Sequence, residues 1–332
     1  MLNIIQIGAG PLGLNVAKFI LERKGLQLSG VVDLNPDLEG KDVGKMCGVE
    51  SNGITVSVSV DDAIRKTKQK PSVAVVTTVS SASKIVPTIE ELAKRKLDIV
   101  TTCEELSYPW KQHPKEAEAI DKICKNYEIT CLGTGVNPGF LMDYFPSVLT
   151  SICQRVDHVE VIRVQDASIR RIPFQKKIGA GLTHDEFEQE KQKGSLRHVG
   201  LPESTDMIAG AMKFDLNENM ETLDKVVAKQ RITSGYKPIE KGMPCGVEQI
   251  TQGMVEGKER IRLRFRAAVG EPESYDKVVI KGRPDLETVF PGGVNGDIAT
   301  SAITVNALGS VYRTDAGLKT MIDIPVPSWF ST

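Results

Sequence analysis

The residues with the clearest chemical meaning are three glycines near the start of the chain and an acid that follows them. Gly8, Gly10 and Gly13 have G-x-G-x-x-G spacing directly after an apolar run, Asn3–Ile7. The first glycine permits a tight turn, the second lets backbone approach a pyrophosphate, and the third lets a helix pack closely on a strand. Asp33 lies 20 residues after Gly13, where a carboxylate can accept hydrogen bonds from a ribose diol. The spacing predicts a dinucleotide site.

The same residues bear on which dinucleotide is bound. A carboxylate repels the 2′-phosphate of NADP, so Asp33 favours NAD. Lys41 and Lys45 follow closely enough in the sequence that NADP stays an alternative. The competing interpretation of the glycines is a turn in some other α/β protein. A strand precedes them, however, and a helical pattern begins at Pro11 and Leu12, so the free N–H groups of a helix N-terminus would face the phosphates.

Composition and charge are ordinary for a soluble globular protein. The chain has 332 residues, with 40% hydrophobic residues, 26% charged residues and a formal net charge of −1. That length suggests about two domains. The charge balance indicates neither nucleic acid nor a membrane surface as a partner. No apolar run approaches the ~20 residues of a membrane helix, and no signal-peptide pattern opens the sequence, so we expect a cytoplasmic location.

The cysteines and histidines give no sign of a metal site. None of the six cysteines forms a C-x-x-C pair, and the four histidines lack metal-ligand spacing. Several cysteines lie in apolar runs, which favours buried free thiols over disulfides or zinc. We therefore predict no metal.

The elements that must position the glycines and the acid follow from periodicity. Over residues 1–136, short apolar runs alternate with helical patterns, which is typical of βαβ units and a parallel sheet. Two further buried strands are predicted at Ser72–Val76 and Asp98–Thr102. The residues that follow such strands lie at the carboxyl edge of the sheet, on the cofactor side. They are Thr77, Thr78 and Val79 after the first strand, and Thr102, Cys103 and Glu104 at the end of the second.

A different pattern begins at the turn-rich stretch Gly133–Gly139. Strands with one-sided alternation, such as Glu259–Ala268, predict an antiparallel sheet. Helical spacing is found at Thr183–Lys193, Thr205–Met212 and Met220–Val227.

The fold class predicted is therefore α/β, with a Rossmann doubly wound parallel sheet and a second α+β domain with an antiparallel sheet. The first domain spans residues 1–136 and is completed by the C-terminal helix within 297–332. The second domain, at 137–296, is expected to bind substrate and to dimerise.

Several stretches carry a resemblance to a known family. The N-terminal half resembles the nucleotide domain of dihydrodipicolinate reductase. The whole chain is similar to the 2,4-diaminopentanoate dehydrogenases and their relatives, the native amine dehydrogenases. The first two of the following stretches are generic to nucleotide domains and the others are specific to the family. They are Gly8–Gly13, Val32–Pro36, Thr101–Trp110, Gly133–Gly139, and Arg163–Arg171 with Gln175–Gly179.

The resemblance implies an NAD- or NADP-dependent oxidoreductase that acts on CH–NH2 groups. Its reaction is the reversible oxidative deamination of an amine, either 2,4-diaminopentanoate or a related short amine, to a ketone plus ammonia. A homodimer is also implied. The histidine- and lysine-bearing catalytic motif of the reductase has no counterpart here, which argues against that enzyme's substrate.

The resemblance places the catalytic glutamate at Glu104. A fixed carboxylate can stabilise an iminium cation, hold ammonia, and take or give a proton as water leaves. The alternative is a glutamate favoured at a helix N-terminus by the macrodipole; Glu105 is interpreted as structural. Asn137 is predicted to contact the nicotinamide or the substrate, although asparagine before proline is also a common turn residue. His198 would line the far end of the pocket, or be structural.

The first strand of the second domain supplies the other predicted substrate residues. Arg163 and Gln165 share one face by the two-residue period of a strand, and Asp166 follows them. An arginine that faces a cleft can clamp a carboxylate bidentately, as one on this strand does in relatives that take keto acids. Relatives have asparagine at the position of Gln165, which leaves substrate size open. Arg170 and Arg171 are alternative clamps or surface charges.

Two other functions stay open on the sequence. One is a carbonyl or dihydrodipicolinate-type reductase on the same scaffold, which dependence on ammonia would distinguish. The other is an NAD(H)-binding sensor, which would bind the cofactor and transfer no hydride.

Overall fold

The computed structural model describes residues 1–233 and 235–330. The chain forms two units, one of residues 1–140 and 295–332 and the other of residues 141–294. The predicted boundaries lay at 136/137 and 296/297.

The strands, in chain order, are β1 (Leu2–Ile7), β2 (Leu26–Val32), β3 (Val56–Ser57), β4 (Val73–Val76), β5 (Asp98–Thr101), β6 (Thr130–Gly133), β7 (Arg155–Asp166), β8 (Glu218–Val227), β9 (Ile232–Thr233), β10 (Pro238–Ile239), β11 (Pro244–Val255), β12 (Lys258–Ala268), β13 (Tyr275–Arg283), β14 (Leu286–Pro291) and β15 (Gly317–Lys319). The helices are α1 (Pro11–Glu22), α2 (Val43–Met46), α3 (Val60–Lys66), α4 (Ala82–Ala93), α5 (Pro109–Gln112), α6 (Pro114–Tyr127), α7 (Tyr144–Leu149), α8 (Ile172–Lys177), α9 (His184–Gln192), α10 (Leu201–Met212) and α11 (Gly296–Val311).

The first unit contains a parallel sheet. Within the described residues its order is β15-β6-β5-β4-β1-β2-β3, and each neighbouring pair is parallel. This is the Rossmann order with β15 added, and the strand order reverses between β1 and β4. Strands such as β4 are completely buried because helices cover both faces. The predicted Rossmann fold is confirmed.

The C-terminal helix α11 belongs to this unit. It begins at Gly296, where the side chain of Asn295 accepts the N–H groups of Asp297 and Ile298. Its Thr300 hydroxyl accepts the N–H of Val136 at 3.3 Å. This hydrogen bond connects helix α11 to the loop after β6.

The second unit contains a sheet in the order β14-β13-β7-β12-β11-β8. Its core includes Val161, Leu263 and Val278 from the sheet, together with Phe187 of α9 and Ile208 of α10. The sheet is mixed, because β7 and β12 pair in parallel while the other neighbours pair in antiparallel. The expectation of an antiparallel sheet therefore holds for every pair except that one.

The predicted helix at Met220–Val227 is wrong. The segment forms strand β8, which pairs along its length with β11. Met220, Leu223 and Val226 have helical spacing, but pairing with a long neighbouring strand satisfies the backbone and overrides that local pattern.

None of the helices in the described ranges has the length and apolar character needed to cross a membrane. Of the six free cysteines, Cys153 is partly exposed and the others are buried.

Candidate active site

The candidate site is built along the carboxyl edge of the parallel sheet. Asp33 follows β2, the glycine turn follows β1, Thr77 follows β4, and Glu104 and Asn137 lie on the loops after β5 and β6. Because β5, β4, β1 and β2 are consecutive neighbours in the sheet, the strands that lead to Glu104 and Asp33 are three spacings apart, about 14 Å. An extended ligand can therefore cross all four loops.

The glycine turn has the geometry that a pyrophosphate needs. Gly8 has a φ of +98°, and a Cβ on Gly13 would lie 2.1 Å from the Gly8 carbonyl oxygen, so neither position accepts a side chain without a shift. A Cβ on Gly10 would meet no heavy atom within 4 Å. Among the described residues no side chain caps α1, whose first residue is Pro11. Open space thus lies over the N–H groups of a helix N-terminus, which is where an anion binds.

The carboxylate of Asp33 is held by backbone. One oxygen accepts the Ala9 N–H at 2.7 Å and the other accepts the Asn35 N–H at 2.9 Å. A carboxylate has about four acceptor positions, so two bonds leave room for ribose hydroxyls.

A cleft of about 560 Å³ lies beside Asp33, a volume typical of sites for small ligands. Sequence reasoning found Asp33, Thr77, Thr78 and Val79 here. It missed Leu34, which directly follows Asp33, and lining residues from separated segments without a motif: Val58, Ser59, Val60, Thr88 and Glu91. The residues present fit a dinucleotide, with Gly10, Pro11, Leu12 and Gly13 at the pyrophosphate and Asp33 at a ribose.

The turn that carries Glu104 is fixed by neighbouring backbone. Glu104–Leu106 forms one turn of 3-10 helix. A Cβ on Gly133 would lie 2.2 Å from the Leu106 carbonyl oxygen, so glycine at that position lets β6 and the turn meet. The N–H of Thr102 bonds to Val76 O at 3.1 Å. These contacts fix where the Glu104 side chain begins.

Glu105, the second glutamate of the turn, contacts the start of helix α4. A carboxylate oxygen of Glu105 accepts the N–H of Ala82, the first residue of α4, at 2.7 Å. The same oxygen lies 3.6 Å from Nε2 of His113. Glu105 therefore stabilises the start of a helix, as a structural residue would.

Cys103 takes part in the structure of this sheet edge through its backbone N–H and not through its thiol. Its side chain is buried, and its N–H bonds to the Thr101 hydroxyl at 3.1 Å. Burial, with smaller contributions from Glu105 and then Glu104, raises the pKa of the Cys103 thiol to about 12. The thiol is therefore protonated and unreactive at neutral pH.

Asn137 lies in a tightly built loop. A Cβ on Gly139, whose φ is +118°, would lie 2.4 Å from the Gly135 nitrogen. The N–H of Thr134 bonds to Thr101 O at 2.9 Å, so this loop is joined to β5, which leads to Glu104. The structure thus brings the loops of Glu104 and Asn137 together.

In the second unit, Arg163 is in a buried ion pair. Its side chain is 3% exposed, and Nη1 lies 2.9 Å from the carboxylate of Asp276. Nη2 donates to Val294 O at 2.8 Å, and Asp276 accepts the Val294 N–H at 2.7 Å. Burial lowers the pKa of the Arg163 guanidinium and raises that of the Asp276 carboxyl. These contacts hold the Arg163 guanidinium in an ion pair within the second unit, and the carboxylate clamp stays a prediction.

The remaining predicted residues of this unit also make structural contacts. The amide oxygen of Gln165, when turned toward Arg163, accepts from its guanidinium. Asp166 accepts from Ser168 N at 2.9 Å and from Gly270 N at 3.1 Å.

The His198 ring stacks on Phe265 with centroids 4.5 Å apart. It lines a cavity of only about 20 Å³, roughly the space of one water. No group of three His, Cys, Asp or Glu side chains in the described part of the chain could hold a metal ion.

Comparison with known proteins shows the family of the chain. The family model described as the 2,4-diaminopentanoate dehydrogenase C-terminal domain matches residues 140–331. The one described as the dihydrodipicolinate reductase N-terminus matches residues 2–125. The chain is 30% identical to the 2,4-diaminopentanoate dehydrogenase of Acetoanaerobium sticklandii over 333 residues, which cover 98% of this chain and 94% of that protein.

Two further proteins are similar to this chain, one in structure and one in sequence. The amine dehydrogenase from Mycobacterium smegmatis has the same fold, with a TM-score of 0.86 at 20% identity over 99% of this chain and 97% of that one. The 4-hydroxy-tetrahydrodipicolinate reductase of Synechocystis sp. is 22% identical over 163 residues, 48% of this chain and 56% of that protein. The fold and the edge site therefore define a dehydrogenase of the Rossmann class. Within that class, the chain belongs to the 2,4-diaminopentanoate dehydrogenase family, and the resemblance found in the sequence is confirmed.

Proposed function

We propose that the protein is an NAD(P)-dependent amine dehydrogenase that interconverts a short amine with a ketone and ammonia. The observation that carries this proposal is the position of Glu104 on the same sheet edge as the glycine turn. Family membership supports the reaction type, and the name of the Acetoanaerobium relative suggests 2,4-diaminopentanoate or a similar short amine as substrate.

In the reductive direction, a ketone, ammonia, a proton and the reduced cofactor give an amine, water and the oxidised cofactor. When bound, the nicotinamide cofactor supplies the hydride. Glu104 holds ammonia and transfers protons as water leaves the carbinolamine. Its negative charge then stabilises the iminium cation that accepts the hydride at carbon. Asn137, on the adjacent loop, orients the substrate or the nicotinamide.

NAD is the cofactor that the site favours. Both oxygens of Asp33 are held by backbone N–H groups, so the carboxylate is not free to swing away from a 2′-phosphate. None of the described residues that line the adjoining cleft is a lysine or an arginine. A 2′-phosphate would therefore face a fixed negative charge without a cation to offset it.

The assembly we propose is a homodimer through the face of the second sheet that lies opposite its core. One row across that face consists of Ile250 on β11, Arg264 on β12, Ile162 on β7 and Lys277 on β13, as the strand registers require. Arg264 is paired with Glu248 at 2.6 Å. A surface that mixes apolar residues with both signs of charge can complement itself about a two-fold axis. The Ile250→Glu variant should then sediment as a monomer, and a monomeric wild type would overturn this assembly.

The reaction is tested by NADH oxidation with 2-amino-4-oxopentanoate, 4-oxopentanoate and neutral ketones, each with and without ammonium. Oxidation that requires ammonium is expected. Oxidation that is indifferent to ammonium would instead support a carbonyl reductase. Binding of NADH without oxidation under any of these conditions would support a sensor.

A further inference from the structure

A buried amide lies directly beneath the glycine turn. Gln6 on β1 is 0% exposed. Its Nε2 donates to the Thr77 hydroxyl at 2.8 Å, to Gly8 O at 3.1 Å and to Ile7 O at 3.2 Å. The amide group of Gln6 thus donates to oxygens of two segments, the turn at the end of β1 and the loop after β4.

The Thr77 hydroxyl occupies the space that the glycines leave. A Cβ on Gly8 would lie 3.0 Å from that oxygen, and a Cβ on Gly13 would lie 2.8 Å from it. The hydroxyl also lies 3.3 Å from Ile7 O and 3.4 Å from Gly8 O. Gln6 and Thr77 therefore connect the two loops at the point where the strand order of the sheet reverses.

Burial of the Gln6 amide carries a free-energy cost, which indicates that its other contacts are important. Within the described chain, its Oε1 is buried without a hydrogen-bond partner. An unsatisfied buried acceptor destabilises the folded state, and methionine would fill similar space without that penalty. The favourable contribution of Gln6 comes from Nε2, which acts on the loop carbonyls.

We infer that Gln6 is a positioning residue for the cofactor. It fixes the Ile7 and Gly8 carbonyls through direct bonds and through Thr77, so that the backbone N–H groups of Gly10, Leu12 and Gly13 face the pyrophosphate before it binds. Preorganisation of this kind improves affinity because the loop needs no ordering on binding. The inference rests on the proposed function, since it assumes a nicotinamide dinucleotide as the ligand.

The test compares Gln6→Met with a matched control, Gln175→Met. Gln175 is an equally buried amide in the second unit, where it donates to Arg170 O at 3.0 Å. NADH affinity is measured by fluorescence titration, and thermal stability by calorimetry. For Q6M we expect the Kd for NADH to rise roughly ten-fold. This factor corresponds to the net contribution of about one hydrogen bond. The KM for NADH should rise with kcat little changed. Q175M should lower Tm and leave the Kd unchanged.

A second pair of variants tests the same link from its other end. Thr77→Val removes the hydroxyl and should raise the Kd for NADH by a similar factor, whereas Thr77→Ser should restore it. In the double variant Q6M/T77V the two effects should not multiply, because both changes remove one shared contact. If Q6M does not fold, the comparison of T77V with T77S decides the question.

The outcomes separate this inference from the proposed function. Wild-type protein that fails to bind NADH would overturn both. Wild-type binding with an unchanged Kd in Q6M or in T77V would overturn the positioning role alone. A Tm loss in Q6M without a change in Kd would likewise show that Gln6 is only structural.

Discussion

The carboxyl edge of the parallel sheet and strand β7 of the second unit both carry polar residues that the sequence singles out, but they use them differently. At the edge, Asp33 and Glu104 lie on loops at the ends of two strands of the same sheet, and the glycine turn between them has open space over Gly10. On β7, Arg163 is enclosed by Asp276 and the peptide of Val294. The polar residues of the first region lie beside open space that can hold a ligand. Those of the second region surround the buried guanidinium of Arg163.

The difference follows from topology. In a parallel sheet every strand ends at the same edge, so residues that follow different strands meet even when they are far apart in sequence. A residue within a strand points to one face or the other, and its partner depends on the neighbouring strands. Arg163 and Asp276 meet because β13 pairs with β7 in a register that places them opposite each other.

The largest effect on activity is expected from a change at Glu104. Glu104→Gln should lower kcat by about 10²–10⁴, the range for loss of a general acid–base group, and leave the Kd for NADH unchanged. Glu105→Gln is the control, because an amide oxygen can still accept the Ala82 N–H. Steady-state kinetics of the two variants should differ by at least two orders of magnitude. Undiminished turnover in E104Q would remove Glu104 from the mechanism.

The next effect is on stability. Arg163→Met should lower the free energy of unfolding by about 3–5 kcal/mol, because the Asp276 carboxylate is left buried and unpaired. Denaturant unfolding would measure this. The double variant R163M/D276N should recover much of the loss, since a neutral amide can still accept the Val294 N–H. If R163M were as stable as wild type but had a raised KM only for substrates with a carboxylate, Arg163 would be a substrate clamp and not a structural residue.

A smaller effect concerns the choice of cofactor. Asp33→Asn keeps one acceptor and removes the charge that a 2′-phosphate would meet. We expect the ratio of kcat/KM for NADH to that for NADPH to fall about ten-fold, measured with both cofactors at subsaturating concentration. A ratio that does not change would show that the carboxylate does not set the preference.

The smallest effect, on thermal stability, is expected from Asp98 at the amino end of β5. Asp98 accepts the Thr130 N–H at 2.8 Å, and burial raises the pKa of its carboxyl above the ordinary 3.8. The unfolded chain therefore loses this proton first, and Asp98 reduces stability as the pH rises from 3.8 through its folded pKa. Asp98→Asn should raise Tm at pH 7 by about 1–3 °C.

That difference should disappear near pH 3.5, where wild-type Asp98 is mostly protonated in both states. Activity should be unaffected, because Asp98 lies at the amino end of the strand that leads to Glu104. A Tm gain of the same size at both pH values would contradict a titrating carboxyl as its cause.

The sequence was most informative where function depends on backbone. Gly8, Gly10 and Gly13 stand out because their roles require the absence of a Cβ, and a residue type that answers a steric requirement can be recognised by spacing alone. The family motifs around Glu104 and Asn137 were equally visible. Gln6 was not, because a single glutamine inside an apolar strand has no periodic signal, and its importance comes from Thr77, which lies 71 residues further along.

The nucleotide fold, the glycine turn and the family could be predicted from the amino-acid sequence, since each depends on a local pattern of residues. The strand conformation of β8, the parallel pairing of β7 with β12 and the ion pair between Arg163 and Asp276 became evident only in three dimensions. In each of these cases the outcome depends on which distant strand lies alongside, and hydrogen bonds and ion pairs with that neighbour outweigh the preferences of the segment itself.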